Sequence, residues 1–513
     1  MLRRVMAVGI GLVLAVCVVG FGVPRGTAAG PAAEIPRGGT LRLGDELPEG
    51  LFGIPWRRAP RSTVPAVPVF ETPIWVDVRG RAAPHLVERW EIGPDRRSVS
   101  LRLRRNVRFH DGTLLNAEGL RWNLQKQIEA RRAPDIVRSV EVRGPYEVVV
   151  QLERWTNGFL LWLGGLGATD VVSPGHVLRV GEEQADARPV GTGPFRVTRY
   201  DPKAFAEYVR FDGYWDREKP YLDRLELRFF ADMQTMKAAL LARQLDVAGF
   251  NDPAVIRELR ESRELREISG LHTLNWALWP DSANADSPLA DRRVREAISL
   301  AIDRNALAVG VGYGIFRPWA QIAHPGHTAA LEGGVPMRFD PERARRLLAE
   351  AGYGNGFRTR IISEAVSRDL AVAVQGYLSG VGIEAEVEIV DRPRMADYQR
   401  RGWRGFILHP MPYVPNFNSW LEFFFIRHPL GQVSLKRPER LTEMWEASRA
   451  TINEDRNATR RLHRYLLEEL MVIPLLTGPQ KVYFAWPRVR NTYLLQGATW
   501  PRWKPAEAWL ARQ

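Results

Sequence analysis

The chain has 513 residues, 45% hydrophobic and 26% charged, which is the balance of a folded soluble protein and too long for one ordinary core. Seventy-two Lys and Arg against 59 Asp and Glu give a net charge of +13, but the excess is scattered, with no basic run of five, which excludes the concentrated patch of a nucleic-acid binder. Disorder, a disulfide-knit mini-domain and a polytopic membrane protein are excluded too, since only one apolar stretch is long and only one Cys is present.

That stretch opens the chain. Arg3 and Arg4 precede an apolar run from Val5 to Val23, and Gly26, Thr27, Ala28 and Ala29 follow. This is the layout of a secretory signal peptide over residues 1–29, cut after Ala29 or a residue or two away; an uncleaved anchor is the alternative. Cys17 lies inside the apolar run and reads as signal core, with lipidation as the alternative. Without Cys17 the mature chain has no thiol, which suits an oxidising, extracytoplasmic or periplasmic compartment.

The next third is strand-rich. Thr40 to Leu43 and Ser98 to Leu103 alternate polar and apolar residues. Glu141–Val142 and Glu147–Leu152 alternate around Gly144-Pro145, which predicts a hairpin. Between them, Asn116 caps a predicted helix from about Ala117 to Arg131, with Leu120, Leu124 and Ile128 on one face. The Gly191-Thr192-Gly193-Pro194 turn leads into an alternating Phe195 to Tyr200, Leu222 to Phe230 alternates again, and a helix follows from about Met233 to Arg243.

Beyond about residue 270 helices dominate. Asp291 to Val309 is one amphipathic pattern carried by Val294, Ala297, Ile298, Ala301 and Ile302. Asp340-Pro341-Glu342 starts a helix that Gly352 closes. A helix from about Arg368 to Leu378 precedes the alternating strand Glu384 to Val390, an order that suits a mixed α/β lobe. The last thirty residues return to strand-like text, as in a chain that builds two lobes and crosses a hinge more than once.

Catalytic motifs are missing. The sequence has no Gly-x-Ser-x-Gly elbow, no His-Glu-x-x-His, no Walker loop and no dinucleotide glycine run. Gly191 to Pro194 lacks the Lys of a phosphate loop and reads as a tight turn. His324 and His327 have a spacing that suits a metal, but no Cys or carboxylate stands near them in sequence. His110-Asp111 reads as a turn after a strand.

Several segments taken together resemble a known family. They are Leu86 to Trp90, Val107-Arg108-Phe109-His110-Asp111-Gly112 ahead of Asn116-Ala117-Glu118, Gly191 to Phe195, and Tyr214-Trp215. Asn275, Val294 to Ile298, Ala301-Ile302-Asp303 and Leu348 to Tyr353 follow in the same order. In order and spacing they resemble the extracytoplasmic solute-binding protein family 5, the peptide/nickel group of ABC-transporter binding proteins. The resemblance implies an α/β, two-lobed periplasmic binding protein fold (class II-like, cluster C) with an extra subdomain on the N-terminal lobe. Lobe I would comprise residues 36–270 plus 485–513, with the subdomain at about 76–188, and lobe II residues 271–484. It further implies a monomer that binds a small-molecule solute between hinged lobes and delivers it to an ABC permease and ATPase complex at the membrane, with no cofactor, resident metal, nucleic acid or catalysis. A peptide-like, opine-like or glycoside solute is expected; a metal-chelate or nickel-type binder and a secreted hydrolase are the alternatives.

Peptide-binding members of that family carry a Trp, Asp residues and an Asp-Pro in lobe II, where one Asp holds the peptide's amino group. Here the matching stretch runs from Ile407 to Asn418, with Val414 ahead of Pro415, and no carboxylate lies between Asp397 and Glu422. Losing a charge-assisted hydrogen bond of ~1.5–3 kcal/mol predicts that ordinary free-amino peptides are not the preferred ligand. Expected cleft residues are Phe52, Asn275, Trp276, Tyr313, Phe316, Trp319, His409, Tyr413, Asn416 and Trp420; core packing is the alternative for each aromatic. Arg317 and Arg404 would meet an anionic ligand or line a solvated surface.

Overall fold

The computed structural model describes residues 35–58, 62–165, 169–270, 274–336, 338–426, 431–494 and 503–512. The signal-peptide segment 1–29 lies outside these residues.

A seven-stranded sheet organises the first lobe. Thr40–Glu46 lies at its centre, parallel to Arg224–Phe230 on one side and Val247–Phe250 on the other. Phe205–Arg210 and Phe195–Asp201 extend it antiparallel beyond Arg224–Phe230. On the other edge Val482–Ala485, from far along the chain, sits between Val247–Phe250 and Arg266–Ile268. The strands Val247–Phe250 and Val482–Ala485 are buried at every residue, as expected where helices and loops cover both sheet faces.

The second lobe is built on a six-stranded sheet in the order Arg317–Pro318, Ile473–Gly478, Leu274–Pro280, Phe406–Pro412, Phe357–Glu364, Ile383–Val390. The last three run parallel to one another. Helices Arg292–Ala301, Pro341–Glu350 and Arg368–Ser379 bury Val294, Ile298, Leu348, Val374 and Leu378 with Ile361 and Ile383 of the sheet.

The single amphipathic pattern read over Asp291 to Val309 is in fact two helices. The first ends at Ala301, Ile302 is extended (φ −106°, ψ 117°), and a second helix runs Arg304–Gly310. Asp303 makes the break: its Oδ1 accepts from the amides of Asn305 (2.9 Å) and Ala306 (3.1 Å). Asp303→Ala is expected to cost about 1 kcal/mol. A lower urea midpoint at unchanged m-value would register it, and Asp303→Asn should restore most of the loss.

A third, smaller body lies within the first half. Val87–Ile92, Ser98–Leu103, Glu147–Leu152 and Val137–Gly144 form an antiparallel sheet covered by helix Ala117–Glu129. Val137–Gly144 and Glu147–Leu152 form the expected hairpin, and Asn116 Oδ1 caps the helix at Gly119 N (2.9 Å). A buried Arg58–Asp170 ion pair ties this region to the first lobe. Gly191 and Gly193 pack against the backbone of Val69, where a β-carbon would collide with its carbonyl, so the Gly-Thr-Gly-Pro turn is a structural element. On the opposite side Trp155 Nε1 donates to the carbonyls of Thr451 (3.0 Å) and Ile452 (3.2 Å). Asn157 Nδ2 donates to Ser448 O at 3.0 Å. Trp155 and Phe159 thereby join one apolar cluster with Trp279, Trp420 and Trp445 of the second lobe.

Candidate functional site

Ligands of open parallel sheets bind beyond the carboxyl ends of the strands, where connections diverge and leave a crevice. Both sheets here point such ends at one cavity of about 350 Å³. The first lobe contributes Asp45 and Glu46 from the end of Thr40–Glu46, Phe229 from the end of Arg224–Phe230, and Asn251 just past Val247–Phe250. From the second lobe come Glu364, at the end of Phe357–Glu364, and Arg392, just past Ile383–Val390. His409 and Pro410 of Phe406–Pro412 complete that side. Pro479, Gln480 and Lys481, which carry the chain from the second sheet back to the first, close the rear. Val64, Leu274, Trp276, Met395, Phe423 and Phe424 give the cavity a largely apolar lining.

The first-lobe wall holds a compact ion network. The Lys481 ammonium bonds the Asp45 carboxylate and lies 3.3 Å from Glu46, while Asn251 Nδ2 donates to Glu46 Oε1 at 3.0 Å. Burial opposes a charge on Lys481, but Asp45 leads a set of neighbours that outweighs it and raises the lysine pKa. The second-lobe wall is looser. Glu364 Oε1 is 3.9 Å from the Arg392 guanidinium, and its Oε2 is 3.9 Å from His409 Nδ1.

Of the ten residues expected in the cleft, Trp276 and His409 line this cavity. Phe316 packs tilted against Trp276 with ring centroids 4.4 Å apart. Asn275 is fully buried on the other face of the same strand and donates to Ile322 O at 2.8 Å. Phe52 is fully buried against Tyr200 in the first-lobe core. Tyr313 is exposed under the Arg257 guanidinium, and Trp319 donates its indole N–H to Ala323 O at 2.9 Å. Tyr413, Asn416 and Trp420 sit between the small body and the second lobe. Tyr413 donates to Val78 O (2.6 Å), Asn416 caps helix Phe417–Leu421 and reaches Asn157, and Trp420 stacks on Phe417. Arg404 pairs with Asp286 at the surface and Arg317 is exposed, both away from the cavity lining.

The histidines with metal-like spacing are turned onto backbone. His324 Nε2 donates to Met411 O (3.0 Å) and His327 Nε2 to Val414 O (3.1 Å). Among the described residues no group of three or more His, Cys, Asp and Glu is placed to hold a metal. Val414, ahead of Pro415 where a peptide-binding member is expected to carry its Asp, is buried away from the cavity lining. The carboxylates on its walls come instead from Asp45, Glu46, Glu49 and Glu364. For Glu46 and Glu364 the available signal is an acidic residue closing a strand at its carboxyl end.

The family model of the bacterial extracellular solute-binding proteins, family 5, matches residues 81–425. The chain belongs to that family. The glutathione-binding protein GsiB of Escherichia coli K12 is 28% identical over 327 residues, 62% of this chain and 63% of that protein, so the match spans just under two thirds of such relatives. The structure resembles two-lobed periplasmic binding proteins. One is the DppA protein of Helicobacter pylori in complex with the peptide STSA (TM-score 0.80, 18% identity, 93% of this chain and 99% of that one). Another is AgaA of A. tumefacien R10 in complex with agropinic acid (TM-score 0.78, 20% identity, 93% and 99%). Across this family member, among the described residues, no helix is long and apolar enough to cross a membrane.

Proposed function

We propose that this protein is the capture component of an ABC importer, holding one small organic solute between its lobes and passing it unchanged to a membrane permease driven by an ATPase. The observation that carries this reading is the cavity itself, walled by the carboxyl strand ends of both sheets and by the Pro479–Lys481 crossover. Such a wall is complete only when the lobes are together, so bound solute favours the closed form, and a closed form is a shape a permease can read. Family membership and relatives that bind peptides or opines support the same assignment.

Export by the segment 1–29 and a monomeric state belong to this proposal. So do the lobe limits, 36–270 with 485–513 for lobe I and 271–484 for lobe II. The pairing of Val482–Ala485 with Val247–Phe250 supports moving the second crossing forward to Lys481. The volume, at the low end of the ~300–1,000 Å³ of ligand pockets, favours a compact molecule over a long peptide.

Native mass spectrometry of the mature protein tests the proposal. One small molecule per chain is expected, recovered unchanged after denaturation. Recovery of a converted product would replace the reading with an enzymatic one.

A further inference from the structure

The second-lobe wall of the cavity has its own chemistry, and the strand register creates it. Phe357–Glu364 runs parallel to Phe406–Pro412 with Ile361, Ile362 and Ser363 opposite Phe406, Ile407 and Leu408, so the next step places Glu364 beside His409. On its other flank Glu364 pairs with Val390, and Arg392 follows two residues later at the start of helix Arg392–Arg401. One strand end, the middle of the strand on one side of it and the helix start beyond the strand on the other thus deliver a carboxylate, an imidazole and a guanidinium to one cavity wall.

Glu364 and Arg392 are near each other without a hydrogen bond between them. Glu364 stands 3.9 Å from both Arg392 and His409, beyond hydrogen-bond distance. Among the described residues the Arg392 guanidinium makes no hydrogen bond. Glu364 keeps 18% of its side chain exposed and Arg392 56%, so both charges open onto the cavity. A solute carrying only an amine would satisfy Glu364 but stand beside the Arg392 cation. One carrying only an acid would satisfy Arg392 but stand beside the Glu364 anion. Each case places like charges together, and a ligand with both groups avoids both penalties.

Spacing narrows the class further. The fixed charges are 3.9 Å apart. An ammonium and a carboxylate on the same carbon, joined through bonds of about 1.5 Å, match that closeness, whereas the termini of an extended dipeptide lie up to ~7 Å apart. We propose, resting on the solute-capture reading above, that the solute carries an α-amino acid head group, its ammonium on Glu364 and its carboxylate on Arg392, with an apolar body against Trp276, Phe229 and Leu274.

Calorimetry on ligand-stripped protein with three probes tests it: S-benzyl-L-cysteine, its N-acetyl derivative and its carboxamide. The parent probe is expected to bind about ten-fold or more tightly than either blocked form. Glu364→Gln should weaken the parent but not the N-acetyl probe, and Arg392→Gln should weaken the parent but not the carboxamide. Equal binding of all three probes, or loss of all three alike in both variants, overturns the assignment and leaves solute capture standing. If no probe binds, the co-purifying molecule decides: one bearing both groups on one carbon supports the assignment, and one lacking either overturns it. If neither probe nor co-purifying molecule binds, the capture reading falls with it.

Discussion

Acidification from pH 6.5 to 4.5 is expected to destabilise the fold, by at most about 3 kcal/mol per pH unit. The reason is visible in the hydrogen bonds of the buried histidines. His463 Nε2 accepts from the amides of Ile322 (3.1 Å) and Ala323 (3.2 Å), which leaves Nδ1 as the N–H that donates to Ala329 O (2.9 Å). His327 is fixed in the other tautomer, with Nδ1 accepting from Ala329 N (3.0 Å) and Nε2 donating to Val414 O. A protonated ring cannot accept, so charging either histidine breaks a backbone bond inside the core.

Burial accordingly lowers His463 from 6.5 to about 3 and His327 to about 4; His110, also lowered by burial to about 4, acts in the same direction. Between the unfolded value of 6.5 and these folded values the unfolded chain binds protons that the folded one refuses, so stability falls with pH. Glu454 opposes this. Burial raises its carboxyl from 4.5 to about 7, so between those values the folded state holds the extra proton. Burial raises Asp45, Asp281 and Glu422 as well, so they act with Glu454, and the net is at most about two protons, each worth ~1.4 kcal/mol per pH unit. Against a total of ~5–15 kcal/mol, even part of that slope is a large loss over two pH units. Urea titrations at half-unit steps would show the slope, and His463→Gln should reduce it by about one proton whatever its stability at pH 7. A flat profile from 6.5 to 4.5 would contradict the argument.

Those histidines also show why some of the molecule was legible in sequence and some was not. Short-range signals carried far: the Asn116 cap, the 144–145 hairpin and the Asp340-Pro341 helix start depend on residues within four positions of one another. The break at Ile302–Asp303 was hidden because the apolar spacing continues through it, with Ile302 and Leu307 both buried in the same core. The roles of His324 and His327 depend on carbonyls 87 residues away, which no local spacing encodes.

The site divides in the same way. Trp276 was reachable because the chain enters the second sheet there. Phe52, near the first strand, and Trp420 instead have rings that fill cores, the usual fate of large apolar side chains. The charged wall is assembled from positions 45, 46, 364, 392, 409 and 481, which only strand register brings together.

Lys481→Met is expected to cost about 3–5 kcal/mol and to abolish solute capture. Lys481 sits in the segment that leaves Ile473–Gly478 of the second sheet and enters Val482–Ala485 of the first. Its ammonium is tied to Asp45 and Glu46 at the end of the central first-lobe strand, so a single side chain anchors the crossover to the opposite wall. Methionine keeps the aliphatic stem and its packing while removing the charge. Asp45, with 5% of its side chain exposed, then becomes a buried carboxylate without its cation, the situation in which breaking an ion pair is costly. Replacing both partners removes the uncompensated charge, so Asp45→Asn combined with Lys481→Met is expected to recover most of the stability. The crossover would still lack its anchor, and solute binding should stay impaired. Denaturant midpoints for the two single variants and the double, with calorimetric binding on each, separate the two effects. A single-variant loss under ~1 kcal/mol would show that Lys481 is solvated and that its network does not hold the crossover.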